Sequence, residues 1–308
     1  MPKRITILQI LTVAAAVAFA CHSALAQNEG KASSGAEAKT TAAGETMDRA
    51  KVLRAAADAL GMVRWSDIGA GATRLPGIDI VNTLEIFASG TVYNAGQPST
   101  AEYHAALAYI PPAMRVEITR KGGDAASQHT IQTVRENFAW NESEIGAGLI
   151  PGKGTATPAM PAAKGRLLRL WILPYGVVKA AIAAGDKTKI STENGATVII
   201  FPLSGGLAGI TVKATLDSKN FVTKVETTPD NSSLTNMATE TEYSDYADHG
   251  EVLTDIKSPG HIVQKQAGRP VLDLQVKMVD ANNPYLVFPV PPNVKAATSA
   301  SASGTPGN

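Results

Sequence analysis

Segments in which apolar and polar residues alternate dominate this chain, and they constrain its fold more than any other feature. In the segment 114–119, Met114, Val116 and Ile118 alternate with charged or polar residues, and the segment 210–227 repeats the pattern on both sides of the turn DSKN. A period of two residues predicts a β-strand with one buried face. Because these segments follow one another without helices between them, the sequence favours an antiparallel meander.

One helical interruption stands between the strand segments, in KGRLLRLWILPYGVVKAAIAA at 164–184. Pro174 cannot continue the helix before it, but it fits the first position of a following helix, so we expect two short helices joined at Leu173–Pro174. Helices that are apolar on nearly every side must be buried, and a curved sheet offers its concave face for this. The predicted fold class is therefore α+β: a mostly antiparallel, curved sheet, or half-barrel, wrapped round a short apolar helix pair.

A further helix is predicted ahead of the strands. Thr46 is the expected N-cap, Asp48 lies in the first turn, and Gly61 ends the helix. The apolar positions that recur at helical spacing are Val52, Leu53, Ala56, Ala57 and Leu60. One face of this helix is therefore expected to pack on the rest of the domain.

The first 26 residues have the three-part order of a secretory signal peptide. Two cations precede an apolar run, and the sequence Ala24–Leu25–Ala26 predicts cleavage between Ala26 and Gln27. An N-terminal membrane anchor is the alternative, but the run is short for a span of about 20 residues. Cys21 is the only cysteine, and its surroundings match a lipidation motif poorly. The sequence therefore predicts a periplasmic or secreted protein, in contact with a membrane only peripherally.

Small and polar residues mark the two ends of the processed chain. Residues 27–46 are predicted to be a flexible leader and residues 295–308 a disordered tail, with a single domain at 47–294 between them. The net charge of +1 gives no indication of nucleic-acid binding. Aromatic residues make up only 5% of the chain, which disfavours a carbohydrate-binding surface.

No motif in the chain indicates catalysis. His104, His129, His249 and His261 include no pair at the spacings that typically hold zinc. Ser204 in PLSGG precedes a predicted strand and lacks the strand-to-helix turn of a serine hydrolase. We therefore predict a protein that is not an enzyme and has no metal and no cofactor. An enzyme of unrecognised mechanism is the remaining alternative.

The segment 261–284 gathers His261, Lys265, Arg269 and Asp273 and so suggests chemistry at first sight. Its apolar residues, however, alternate with polar ones on both sides of Ala267–Gly268, which predicts a hairpin. The charges then fall on the solvent side, where a pair such as Lys265 with Asp273 contributes little.

The candidate ligand-binding residues are Leu168, Trp171, Ile172 and Tyr175 of the predicted helix pair. If they face a curved sheet across a gap, they line an apolar cavity, which is the usual kind of ligand site. The alternative is that the same side chains fill the core. The first reading predicts a binding module for an apolar ligand such as a lipid or acyl chain. The second predicts a structural domain that acts with an envelope protein partner or a separate hydrolase.

This order of elements resembles the LolA/LppX-like half-barrel of bacterial envelope proteins, which implies a curved sheet that encloses helices and a lipid cavity. Segments such as RENFAWN at 135–141, RLLRLWILPYGVVKAA at 166–181 and HIVQKQAGRPVLDLQV at 261–276 also resemble the non-catalytic N-terminal region of secreted metallo-β-lactamase-fold hydrolases. That likeness spans residues 55–294. The hydrolase motif H-x-H-x-D-H is missing from this chain, so the resemblance implies the accessory region without its zinc chemistry.

Overall fold

The computed structural model of the chain describes residues 48–63, 65–66, 73–74, 81–121, 128–248 and 256–303. The predicted signal peptide, its cleavage site at Ala26–Gln27, Cys21 and the predicted leader at 27–46 lie outside these residues. Among the helices of the described part, none combines the length and the apolar character needed to cross a lipid bilayer.

The described part contains helices and strands in the following order. The α-helices are α1 (Arg49–Ala59), α2 (Ala163–Ile172), α3 (Pro174–Ala183) and α4 (Pro292–Ser303). The strands are β1 (Trp65–Ser66), β2 (Thr73–Arg74), β3 (Thr83–Asn94), β4 (Gln97–Tyr109), β5 (Pro112–Arg120), β6 (Gln128–Arg135), β7 (Phe138–Glu142), β8 (Ala156–Pro158), β9 (Lys189–Glu193), β10 (Ala196–Pro202), β11 (Ile210–Leu216), β12 (Val222–Pro229), β13 (Thr239–Ser244), β14 (His261–Gln266) and β15 (Arg269–Ala281). Short 3₁₀ turns lie at Met160–Ala162, Gly185–Lys187, Gly205–Leu207 and Ser232–Met237.

Thirteen of the described strands form one curved, unclosed antiparallel sheet, which confirms the predicted fold class. The chain runs strand by strand from β3 out to β8, crosses the concave face through α2 and α3, and resumes at β9 on the opposite edge. It then returns strand by strand to β15, which pairs with β3. Two meanders are therefore joined at one seam, and the helix pair connects their outer edges.

The seam between β3 and β15 depends on a close approach of the two backbones at Gly90, which pairs with Leu274. A Cβ atom at position 90 would collide with the carbonyl oxygen of Asp273 and would lie 3.0 Å from the Cα of Leu274. A glycine in a strand often marks such an approach. The sheet is thus continuous across the seam because residue 90 has no side chain.

The apolar core lies between the concave face of the sheet and helices α1, α2 and α3. The predicted apolar face of α1 is buried, including Val52, Leu53 and Leu60. The predicted N-cap was wrong by two residues: the carboxylate of Asp48 accepts hydrogen bonds from the backbone N–H groups of Ala50 and Lys51 and caps the helix. Thr46 lies outside the described residues.

The predicted break of the helix pair at Leu173–Pro174 is confirmed, because α2 ends at Ile172 and α3 begins at Pro174. Leu173 has an extended backbone between the two helices. Gly176, the third residue of α3, packs against the last turn of α2, where an added Cβ would collide with the carbonyl oxygen of Leu170 and lie 2.9 Å from the Cα of Trp171. The corner is therefore tight because of a glycine as well as a proline.

Arg166 fixes α2 to the sheet from a buried position. Its guanidinium donates to the backbone carbonyl oxygens of Thr133, at 3.0 Å, and Trp140, and to the side chain of Asn141. Burial lowers the pKa of this arginine to about 10, a value at which it still carries its charge at neutral pH. The first turns of α2 are thereby held against β6 and β7.

The hairpin predicted at 261–284 is confirmed as β14 and β15, but its charge pairing differs from the prediction. Lys265 pairs with Glu240 of β13 at 2.9 Å, whereas Asp273 pairs with His261 at 2.7 Å. The register shifts between Val276 and Met278, so Met278 is exposed although the alternation placed it on the buried face.

The C-terminal segment also differs from the prediction, because α4 covers residues 295–303 of the predicted disordered tail. Val294 at the start of α4 is buried with Val290 against Trp140 on the outer face of the sheet. Phe288, two residues before Val290, packs on alanines of β4 and β5. Residues 304–308 lie outside the described part.

A charged cluster centred on His104 lies on the outer face of β3, β4 and β5. Its Nδ1 lies 3.1 Å from Glu117 and its Nε2 lies 3.2 Å from Glu85, while the ring stacks on Phe87 at 4.3 Å between centroids. The hydrogen bond to Glu117 raises the pKa of His104 and lowers the pKa of Glu117. Each group therefore stabilises the charged form of the other.

We expect the substitution Gly176→Ala to lower the free energy of unfolding by about 2 kcal/mol, the cost of overpacking at a tight contact. Gly165→Ala is the matched control, because Gly165 is the third residue of α2 and its added Cβ would meet only Met237 Cε, at 3.6 Å. The control should keep or slightly raise stability, since alanine favours helix. Urea unfolding measures both, and equal losses in the two variants would contradict the packing of the corner.

The stabilisation from His104 should depend on pH. Its folded pKa is raised above the ordinary 6.5, so its contribution is fully present below pH 6.5 and is lost as pH rises through the folded value. The folded pKa of Glu117 is lowered from 4.5, so its contribution is present above pH 4.5 and is lost in acid.

Relative to His104→Gln, the protein should therefore be more stable by up to about 1 kcal/mol between about pH 5 and 6.5, a scale typical of partly exposed ion pairs. This advantage should shrink above that range.

The cluster contains three other groups. Arg115 and His129 lie 3.6 and 3.8 Å from Glu117, and Asn283 is hydrogen-bonded to Glu85. Urea unfolding at pH 5.5 and pH 9 measures the difference, and a constant difference would refute it.

Candidate functional site

A cavity of about 550 Å³ opens between the concave face of the sheet and the C-terminal end of α2. It spans the seam, because β3, β4, β5 and β6 line it on one side and β13, β14 and β15 on the other. From the helix pair, Arg169, Ile172 and Leu173 line it. A volume in the range of about 300–1,000 Å³ is typical of small-molecule sites.

The inner wall of the cavity is apolar because strand alternation places every second side chain of its strands on the concave face. The apolar side chains that line it are Ile86, Val92, Ala105, Met114, Ile118, Ile172, Leu173, Ile262, Val271, Leu272 and Leu274. Ile86, Ile118 and Leu274 also belong to the main core. The cavity is therefore an unfilled continuation of the core rather than a separate groove.

Tyr103, Tyr243 and a pair of polar side chains interrupt this wall. Tyr243 donates a hydrogen bond from its phenol to the backbone carbonyl oxygen of Ile172, at 2.9 Å, and so ties the end of α2 to β13. Gln264 donates from Nε2 to Thr241 Oγ1 at 3.3 Å. Burial raises the pKa values of Tyr243 and Tyr103, so both phenols keep their protons at neutral pH.

The outer end of the cavity is polar and lies between the tips of two hairpins. The turn between β3 and β4 has positive φ values at Ala95 (48°) and Gly96 (82°), and the turn between β14 and β15 has them at Ala267 (47°) and Gly268 (75°). Two successive positive φ values are typical of the tight turns that match strand twist. Ala95, Gly96 and Ala267 all line the cavity, so these turns form part of its rim.

The second tip is tied to the neighbouring 3₁₀ segment. The backbone N–H of Ala267 donates to the carbonyl oxygen of Ala238 at 2.7 Å, and Gln266 Nε2 donates to the carbonyl oxygen of Asn236 at 2.6 Å. Asn236 and Gln266 both line the cavity. The rim therefore has a defined position on this side.

Three arginines line the cavity, and we call them the cavity arginines: Arg120, Arg169 and Arg269. Arg120 ends β5 on the concave face, two residues after Ile118; Arg169 is on α2; Arg269 begins β15. Among the residues that the structure describes around the cavity, none that lines it is an aspartate or a glutamate. The lining thus combines an apolar wall with uncompensated positive charge.

The four residues predicted to bind ligand are distributed between the cavity and the core. Ile172 lines the cavity. Leu168 is buried in the core, and Tyr175 is buried with its phenol donating to the carbonyl oxygen of Lys257 at 2.7 Å. Trp171 packs on Tyr109, with 5.7 Å between ring centroids. Most of the predicted helix pair therefore fills the core. The space that remains lies next to the C-terminal end of α2.

Sequence reasoning missed the cavity arginines. One signal was present in MRVEITR at 114–120, where Arg120 occupies the next inward position after Met114, Val116 and Ile118. A cation at the end of an apolar stripe indicates a charge at the margin of a buried face. The convergence of Arg169 and Arg269 on the same cavity has no comparable signal, because it depends on the path of α2 and on pairing across the seam.

Comparisons with known proteins assign no family to the chain, since no family model and no curated protein matches it. A putative outer membrane lipoprotein-sorting protein domain from Vibrio parahaemolyticus is similar, with 10% identity, coverage of 78% of this chain and 95% of that chain, and a TM-score of 0.42. A DUF1329 family protein from Desulfovibrio piger has 7% identity, coverage of 76% and 90%, and a TM-score of 0.40. Similarity at this level does not indicate what the chain binds. The resemblance to the N-terminal region of metallo-β-lactamase-fold hydrolases finds no support in these comparisons.

Proposed function

We propose that this domain is a non-enzymatic binding module of the bacterial envelope, periplasmic or secreted, for an apolar ligand such as a lipid or an acyl chain. The observation that carries the proposal is the cavity of about 550 Å³ with its apolar inner wall. Burial of apolar surface contributes about 0.8 kcal/mol for each CH₂ group. A hydrocarbon chain therefore gains affinity in such a space without specific polar contacts.

Ile172 is the residue of the helix pair that we propose as a direct ligand contact. Its side chain lines the cavity, and its backbone carbonyl is held by Tyr243. Leu168, Trp171 and Tyr175 support the site from the core, because they fix the position of the helix corner. The secretory pattern of the first 26 residues supports a location outside the cytoplasm.

The second candidate function is that of a structural or interaction domain that acts with an envelope partner or a separate hydrolase. The packing of Leu168, Trp171 and Tyr175 favours it, since these side chains occupy much of the space under the sheet. Exposed Tyr285 and Val287 on the segment that follows β15 would be available for a partner. A stoichiometric protein partner in pull-downs, together with a cavity that binds no apolar probe, would support this candidate against the first.

Affinity should rise with the chain length of a neutral ligand. Each additional pair of CH₂ groups should contribute about 1.6 kcal/mol, so octanol, decanol and dodecanol should differ in Kd by roughly tenfold at each step. Displacement of the neutral dye N-phenyl-1-naphthylamine gives the three constants. Absence of binding by the dye and by all three alcohols would refute the proposed function.

The substitution Leu272→Trp should weaken dodecanol binding at least tenfold, because the indole would occupy the cavity beside Leu274 and Gln264. Val263→Trp is the matched control. Val263 lies on the neighbouring strand β14 and points to the outer face, opposite Asp273. The control should bind dodecanol like the unchanged protein, and an equal loss in both variants would mean that the ligand binds elsewhere.

A further inference from the structure

The positive charge of the cavity lining indicates which chemical class of apolar ligand the cavity binds. We propose that the ligand is an anionic amphiphile, with its alkyl chain on the apolar wall and a carboxylate or phosphate headgroup at the cavity arginines. This inference rests on the proposed function. It goes beyond it because an apolar wall alone requires no headgroup at all.

Arg120 provides the strongest single observation. Its Nε is buried and has no hydrogen-bond partner among the described residues. A buried donor without a partner costs free energy, and the cost is larger for a charged group than for a neutral one. An oxyanion at the outer end of the cavity would satisfy this donor, and arginine binds carboxylate and phosphate through two parallel N–H···O bonds.

Arg169 lies on the helix side of the same cavity. Its Nη1 donates to Gln132 Oε1 at 3.2 Å, which leaves the other donors of the guanidinium without a hydrogen bond to the described residues. Its charge also lowers the pKa of Tyr103, although burial dominates and the net shift is upward. The hydrogen bond to Gln132 therefore orients Arg169, which still has donors for a ligand.

Arg269 lies at the tip of the hairpin β14–β15 and is exposed. Asn94, Asn236 and Gln266, which have amide side chains, also line the cavity. Arg269 pairs with Gln266 in the hairpin, so the cation and an amide that line the cavity occupy adjacent strands. Such a set of donors suits the oxygen atoms of a headgroup that remains partly in water.

Cations on the outer face of the same strands provide the contrast. Lys121, directly after Arg120, pairs with Glu102 at 3.3 Å, and Lys277 of β15 pairs with Glu102 at 2.9 Å. Lys265 of β14 pairs with Glu240 at 2.9 Å. None of the cavity arginines has an acidic partner within the described part of the chain. A buried Nε without a hydrogen bond also occurs at Arg115 and Arg135 on the outer face. Each of those two has a carboxylate nearby, Glu117 at 3.6 Å and Glu136 at 3.7 Å. Arg120 therefore differs because its unpartnered donor also lacks an acidic partner among the described residues.

The test compares dodecanoate, dodecyl phosphate and dodecanol, which share the alkyl chain and differ in the headgroup. Competition against N-phenyl-1-naphthylamine gives each Kd, and the neutral dye reports on the apolar wall alone. We expect both anions to bind at least tenfold more tightly than dodecanol at 0.05 M NaCl. Their advantage should shrink at 0.5 M NaCl, where the screening length is only a few ångströms.

Arg120→Gln and Arg169→Gln should each weaken dodecanoate binding about tenfold and change dodecanol binding less than twofold. Lys121→Gln is the matched control, because it removes one positive charge from the next residue on the opposite face. It should leave the binding of all three ligands unchanged. If Arg120→Gln does not fold, Arg269→Gln, at an exposed position, makes the same comparison.

The outcomes separate the inference from the function on which it rests. Equal affinity for dodecanol and both anions, or equal loss of anion binding in the arginine variants and the Lys121 control, would refute the headgroup site and leave the apolar module standing. Absence of binding by the dye and all three ligands would refute both. A preference for dodecyl phosphate over dodecanoate, or the reverse, would identify which oxyanion the cavity arginines bind better.

Discussion

The pairing of β3 with β15 is the contact on which the rest of the structure depends. These strands lie far apart in sequence and belong to separate meanders, yet they are neighbours at the centre of the sheet. Contacts between distant segments carry the largest loop-closure cost in folding, so the chain forms a single sheet only if this seam is favourable. The cavity spans the same seam, with Ile86 and Val92 on one side and Leu272 and Leu274 on the other. Without the seam there would be two smaller sheets, and the cavity would lose one of its two sides.

Local patterns predicted the elements of the fold well. Alternation in 114–119 and in the hairpin 261–284, and the proline at 174, each depend on neighbouring residues, and the corresponding strands and helix corner are present. What failed depends on interactions across the sheet. Lys265 was predicted to pair with Asp273, but it pairs with Glu240 of β13, and Asp273 pairs with His261. Side-chain partners depend on strand order and register, which the sequence does not show. Met278 was assigned to the wrong face because the alternation of residues does not reveal a register shift. The helix at 292–303 was missed because small residues such as those in KAATSAS resemble a linker.

The candidate site depends both on local sequence patterns and on interactions across the sheet. The apolar wall follows from the strand pattern, and the helix pair was correctly placed on the concave face. Only one of its four proposed contact residues, Ile172, lines the cavity; Leu168 and Tyr175 are buried in the core, and Trp171 packs against it. The cavity arginines come from a strand end, a helix and a hairpin start, and only the assembled fold brings them to one space. A site of this kind is a property of the topology more than of any motif.

The segment that follows β15 gives the two halves of the sheet different mechanical properties. Phe288, Val290 and Val294 pack on the outer face of β4, β5 and β7, so this half has a core on each side. The outer face of β13 and β14 instead carries charged side chains such as Glu240 and Lys265. Packing on both faces resists bending, so we expect the half of the sheet that contains Arg120 to be the stiffer half. We expect the half with Arg269, whose outer face carries charged side chains instead, to bend more easily.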